Sequence, residues 1–243
     1  MKLVLVRMDF SKWCFGGKNL MRLCTYVVKI DTGFAPNPFW GYCTLAACTP
    51  NHKGAKIQTG DWIMGNTSVA TGNKLLYVMQ VSEVLPFDKY FNDPRFQNKK
   101  PQYGKTWREI CGDNIYYRTE RGLWAQLPNP CHNTLAIMLQ DTKNPRVFIG
   151  DHFYYFGENA PDIPENFDRL ILRSQGIKWQ EGILVEQFLR WIEKNFETGV
   201  QGDPKDKITA LDKPSRSCTP RSKDKPLSSG VEAPIQPCQP DTK

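Results

Sequence analysis

A thiol, an imidazole and a few carboxylates are the side chains of this sequence that could carry covalent chemistry. Cys43 and His152 are of the types that form a nucleophile and its base. Asp31, Asp61 and Asp151 each stand near a glycine or at the end of an apolar run, where turn chemistry accounts for them. Nothing in the spacing brings Cys43 to His152, and a small buried residue is the plainer account of Cys43. The catalytic set is open, with Cys43, His152 and Asp31 as its candidates.

Several kinds of chemistry are missing from the pattern. No glycine series feeds a helix through Lys-Ser or Lys-Thr, as a phosphate loop requires. There is no G-x-S-x-G elbow. There is no C-x-x-C pair, and only Cys43, Cys48 and His52 lie close enough in sequence to suggest zinc. Neither a metal nor a cofactor is expected.

Recognition asks less of the same residues. Lys29 to Pro50 reads KIDTGFAPNPFWGYCTLAACTP, a strand-like approach followed by a stiff aromatic loop. Phe39, Trp40, Tyr42, His152, Tyr154 and Tyr155 are rings that could wall a pocket for a base, and Asn37 and Gln175 could read its edge. Asn37 lies between two prolines, which limit its backbone freedom. Lys53, Lys56, Arg95, Lys99, Lys100 and Lys105 could meet phosphate, with aromatics interleaved. A solvated loop with anchoring rings, or aromatics capping a barrel end, would write the same string.

The elements that must position these groups are mostly strands. Leu23–Ile30, the stretch after Gly60-Asp61, Leu75–Val84 and Val147–Ile149 have strand composition. Phe39–Cys48 fits a short helix or a strand. In Asp151–Gly157, period two puts His152, Tyr154 and Phe156 on one face and Phe153 and Tyr155 on the other. Glu181–Asn195 is a helix, with Leu184, Phe188, Trp191 and Ile192 along one stripe. From Gly199 the chain loses its aromatics and becomes rich in Gly, Pro, Ser, Lys and Asp, which predicts a disordered tail over 199–243.

The totals set outer bounds. The chain has 243 residues, a net charge of +7 and eight cysteines. That charge permits contact with an anionic polymer, and equally serves solubility. No apolar run nears the roughly 18 residues of a membrane span. The opening MKLVLVRMDF lacks the apolar stretch and cleavage site of a secretory leader. Reduced thiols and a cytoplasmic location are therefore expected. Residues 1–20 read as an extension, with a second start at Met21.

KIDTGFAPNPFWGYCTLAAC, GDWIMG, VSEVLPFDKYF and DHFYYFG, with the AP-IP stretch that follows, resemble the nucleotide modification associated domain 2 family over Met21 to Phe196. The matching positions are Asp31, Thr32, Gly33, Asn37, Pro38, Trp40, Gly41, Tyr42, Cys43, His152 and Tyr155. The resemblance implies association with systems that modify DNA bases, chiefly in bacteria and phages, and brings no catalytic set with it. A fainter likeness is to PUA-like barrels such as the EVE, ASCH and YTH domains, which bind RNA or modified bases in an aromatic cage. In such a domain Trp62 would be structural or part of the cage.

The expected fold is α+β. It has a mostly antiparallel, partly open, barrel-like sheet of PUA-like kind, flanking helices, a domain over 21–198 and the tail beyond it. The expected function is binding of nucleic acid or a nucleotide, with a base, modified or not, held in an aromatic pocket. The alternatives are a base-modifying transferase or hydrolase using Cys43, His152 or an Asp, and a scaffold that gathers other proteins of a DNA-modification system.

Overall fold

β-Branched and aromatic residues at alternating positions build the centre of the molecule. The computed structural model describes residues 21–47, 50 and 54–208. Within them β1 (Arg22–Val28), β3 (Trp62–Thr67), β4 (Leu75–Gln80), β9 (His152–Tyr155), β10 (Ile177–Glu181) and β11 (Gly199–Val200) form one sheet, in the order β10-β1-β3-β4-β9-β11. β2 (Cys43–Leu45), β8 (Arg146–Gly150) and β5 (Glu83–Pro86) form a second sheet, and β6 (Tyr116–Arg118) pairs with β7 (Trp124–Gln126). Among the described strands β1 with β3, and β9 with β11, run parallel; the other pairings are antiparallel. The class is therefore α+β, with an open mixed sheet.

Strand alternation sorts the side chains into two layers. Leu23, Trp62, Met64, Val78 and Tyr154 face the helix α4 (Ile183–Asn195), which buries Val185, Phe188, Leu189 and Ile192 against them. Cys24, Tyr26, Ile63, Tyr77, Met79, Phe153 and Tyr155 face the other way, onto Cys43, Leu45 and Phe148 of the second sheet. The short helices α1 (Phe87–Asn92), α2 (Trp107–Ile110) and α3 (Leu135–Asp141) lie outside both sheets. A third cluster, with Phe34, Phe87, Tyr90, Phe96 and Tyr116, fills the space beneath α1.

Phe39–Cys48, open between helix and strand, supplies the strand β2. One expectation needs revision: the tail does not begin at 199. Gly199 and Val200 pair with Tyr154 and Tyr155, and Asp206 exchanges hydrogen bonds with Asp31. Composition missed this because a polar segment can be held through its backbone, with little apolar burial. Residues 1–20, Lys53 and the tail from 209 lie outside the described residues.

Candidate functional site

The chain leaves β1 through Asp31, and this carboxylate is nearly buried, 5 % exposed. Tyr155 Oη donates to it, at 2.8 Å from Oδ1 and 2.7 Å from Oδ2. Residues 203–206 close over the turn. Asp31 N donates to Asp206 Oδ2 at 3.0 Å, and Asp206 N donates to Asp31 O at 2.7 Å. Gly33, with φ of +76°, is the only kind of residue that suits the turn, since a Cβ there would meet Pro204 Cγ at 2.7 Å. Burial pushes the Asp31 carboxyl up to about 6, against the hydrogen bond from Tyr155.

Beyond this turn the loop folds back on itself. Ala35–Pro36 is a cis peptide. Asn37 and Thr44 exchange backbone hydrogen bonds, both at 2.9 Å. Asn37 Nδ2 donates to Gly33 O at 2.9 Å and to Cys111 O at 3.2 Å. The Lys99 ammonium donates to Asn37 Oδ1 at 2.7 Å, Asn37 O at 2.9 Å and Tyr42 O at 2.9 Å. Asn37 and Lys99 are both fully buried. Neither therefore plays the role expected of it: the Asn37 amide is spent inside the protein, and Lys99 clamps the two ends of the loop.

Asp113 balances that buried cation. Thr44 Oγ1 donates to it at 2.7 Å, and Tyr90 Oη at 2.7 Å. Burial brings Lys99 down to about 8 and raises the Asp113 carboxyl, each shift opposed by the other's charge. Asp113, Thr44 and Tyr90 were not legible as partners of Lys99, because Asp113 sits in a turn-like Cys-Gly-Asp-Asn string.

The clamp sets Trp40 at the edge of the surface, with Phe39, 6 % exposed, packed beneath it. Trp40 has φ of +58°, the left-handed region that a bulky residue seldom occupies. Its ring meets Phe39 edge-on at 5.7 Å, and Phe39 meets Trp107 edge-on at 5.5 Å. The Arg108 guanidinium lies 5.6 Å from the Phe39 ring and 5.2 Å from that of Trp107. Lys207 comes within 5.7 Å of Trp107 from the closing segment. Trp40 and Trp107 are half-buried and Arg108 is exposed. Asp203 pairs with both cations, at 3.1 Å from Arg108 and 3.0 Å from Lys207. Arg108 and Lys207 were missed; the aromatic-basic string around Lys105, to which Trp107 belongs, was the signal that pointed near them.

The other expected members go elsewhere. Tyr42 packs edge-on against Phe96 at 5.2 Å. Strand parity carries His152 and Tyr154 to the helix face, where His152 Nε2 lies 3.2 Å from Tyr154 Oη and its ring 5.4 Å from Trp62. Trp62 is 5 % exposed there, which makes it a packing residue. Tyr155 faces the opposite layer and joins Asp31. A single pocket around Asn37, Trp40 and His152 is therefore not formed. Cys43 is fully buried on the layer away from His152, and burial pushes its thiol up, so the two do not make a catalytic pair. Gln175 is exposed in the loop before β10.

Of the phosphate candidates, Arg95 is taken up by Glu83 at 2.9 Å and Asp93 at 2.7 Å. Lys100 sits over the Phe91 ring at 3.7 Å, and burial lowers its ammonium. Lys105, exposed, reaches Gln102 Oε1 at 2.6 Å. Lys56 is exposed beside Arg22. One polar centre had no sequence signal: buried His132 Nδ1 lies 2.7 Å from Asp141 Oδ2, to which Tyr116 Oη donates at 2.5 Å. Among the described residues no three His, Cys, Asp or Glu side chains are placed to hold a metal ion, and no helix is long and apolar enough to cross a membrane.

A family model described as nucleotide modification associated domain 2 matches residues 20–211. The chain belongs to that family. The matched span includes the closing segment, so this nucleotide modification associated domain extends past the boundary expected at 198. No curated protein and no solved structure matches the chain.

Proposed function

We propose that this domain binds nucleic acid or a nucleotide through the face made by Trp40, Trp107, Arg108 and Lys207, with buried Phe39 packed behind the two indoles, in the service of base modification. The observation that carries the reading is the strained backbone at Trp40. A clamp of three hydrogen bonds from Lys99 spans Asn37 to Tyr42 and holds a partly exposed indole in a conformation that costs of order 1–3 kcal/mol. The ring packs edge-on to Phe39 and lies 5.8 Å from the Lys99 ammonium, which leaves part of the indole open as a stacking platform for a base. Arg108, exposed, shares the single carboxylate of Asp203 with Lys207 and is the cation beside the platform that a phosphate can reach. The likeness to PUA-like domains stays an analogy of fold, with the recognition of a modified base as its finer expectation.

Titration of fluorescent oligonucleotides, single-stranded and duplex, with and without base modifications, tests this. Trp40→Ala and Trp107→Ala should each weaken binding by about 10- to 100-fold, the range of one lost stacking contact. Arg108→Ala should flatten the dependence of affinity on salt. Folded variants that bind like the parent would overturn the assignment.

One observation favours a second reading, a base-modifying enzyme. Asp31 is a buried carboxylate held near 6 beside a tyrosine hydroxyl, the kind of group that moves protons at neutral pH. Turnover of a nucleotide or oligonucleotide by the purified protein, abolished in folded Asp31→Asn, would establish it.

A further inference from the structure

At the other end of β1, about 20 Å from Val28 along a strand of seven residues, lies a groove of about 380 Å³. Arg22, Lys56, Trp179, Gln180 and Glu181 line it. The guanidinium of Arg22 lies over the Trp179 ring, 4.5 Å from its centroid. Its Nη2 donates to Asp61 Oδ2 at 2.8 Å and to Lys56 O at 3.0 Å. Its Nε is buried without a hydrogen-bond partner. The side chain is still one-third exposed, 33 %.

These observations describe a planar cation fixed in place before any ligand arrives. A guanidinium stacked on an indole is a surface on which a second flat group can lie, and base rings stack on such planes. Lys56 is exposed at the rim, and its ammonium is not drawn into an ion pair among the described residues. Glu181 stands opposite Arg22 in the backbone register of the two strands and offers a carboxylate that accepts from a ring N–H or an amino group. The groove is more open than enclosed, so a base would lie on its floor with its outer face in solvent.

We propose that this groove is a nucleotide site separate from the Trp40 face: the base stacks on Arg22, Glu181 takes a hydrogen-bond donor of the base, and Lys56 meets the phosphate. The ligand chemistry is a planar base carrying a phosphate ester, from a free mononucleotide or from one residue of a strand.

Calorimetric titration of the full chain with AMP, GMP, CMP and TMP, with short single-stranded oligonucleotides, and with inorganic phosphate tests it. Mononucleotide binding that weakens about tenfold or more in Arg22→Lys, which keeps the charge and loses the plane, supports the free source. Lys56→Ala, at an exposed position, should weaken the same binding several-fold without touching the fold. Binding of oligonucleotides alone, reduced by Lys56→Ala in a Trp40→Ala background, supports the strand source. Phosphate binding as tightly as the nucleotides, or neither substitution changing any of these affinities, would overturn the site. Mononucleotide binding that persists in Trp40→Ala and falls in Lys56→Ala reports the groove, whereas binding lost in Trp40→Ala and untouched by Lys56→Ala reports the Trp40 face alone and overturns the groove, so the two failures read out separately.

Discussion

Lys99 and Asn37, 62 residues apart, meet at 2.7 Å with neither side chain exposed to solvent. The ammonium reaches three oxygens at the base of one loop, so the contact is structural. Asn37→Ala removes one acceptor and strands part of a buried cation. A loss of about 2–4 kcal/mol in unfolding free energy is expected, well above a surface substitution. Lys99→Met should cost as much, because it leaves Asp113 buried without its opposing charge. Urea unfolding of both variants checks this; losses below ~1 kcal/mol would show that the clamp does not hold the loop.

Asp31 makes stability depend on pH in an unusual direction for an acid. Its folded value, about 6, lies above the ordinary 3.8. Between those values the folded state binds more protons than the unfolded one, so stability falls as pH rises through the window. Above it the buried charge costs about 3 kcal/mol at most, the shift converted at about 1.4 kcal/mol per unit. Asp31→Asn cannot ionise and should lose this fall. Unfolding midpoints at pH 4.5 and 7.5 should differ less in the variant than in the parent, and an unchanged difference would remove Asp31 from the account.

Much of this could be seen in the string of residues, and the failures share a cause. The alternation in His152–Tyr155 put each ring on its observed face, because strand parity is a local property. The aromatic loop at Phe39 and Trp40 was visible for the same reason. Lys99 was not: beside Lys100 it has the look of a solvated pair, and nothing local reveals that Asn37 and Tyr42 lie within reach. Asp206 was hidden in a polar stretch whose partner, Asp31, is 175 residues away. The groove at Arg22 joins a strand start, a strand end and a loop, which no single window contains.

Strain at Trp40 gives a third outcome. With φ of +58°, alanine at this position keeps the backbone cost and loses the ring, whereas glycine relieves the cost. Trp40→Gly should therefore be more stable than Trp40→Ala by about 1 kcal/mol while binding oligonucleotide as poorly. Equal stabilities would mean that the loop relaxes to an ordinary conformation once the indole is gone.

The closing segment supplies the last. Gly199 and Val200 add a strand beside Tyr154 and Tyr155, Asp206 ties Asp31, and Lys207 reaches Trp107. A chain ending at 198 loses all three, and Tyr155 and Asp31 lose their cover. It should unfold at lower urea and bind oligonucleotide weakly, whereas a chain ending at 211, where the family match ends, should behave like the full protein in both. Gly33→Ala separates docking from mere presence of the segment. It keeps every residue but sets a methyl 2.7 Å from Pro204 on a backbone of φ +76°, so it should resemble the shorter chain. If instead Gly33→Ala and the 198 chain both keep full stability, the segment rests on the domain without holding it, and the Trp107–Lys207 contact has no part in the binding face.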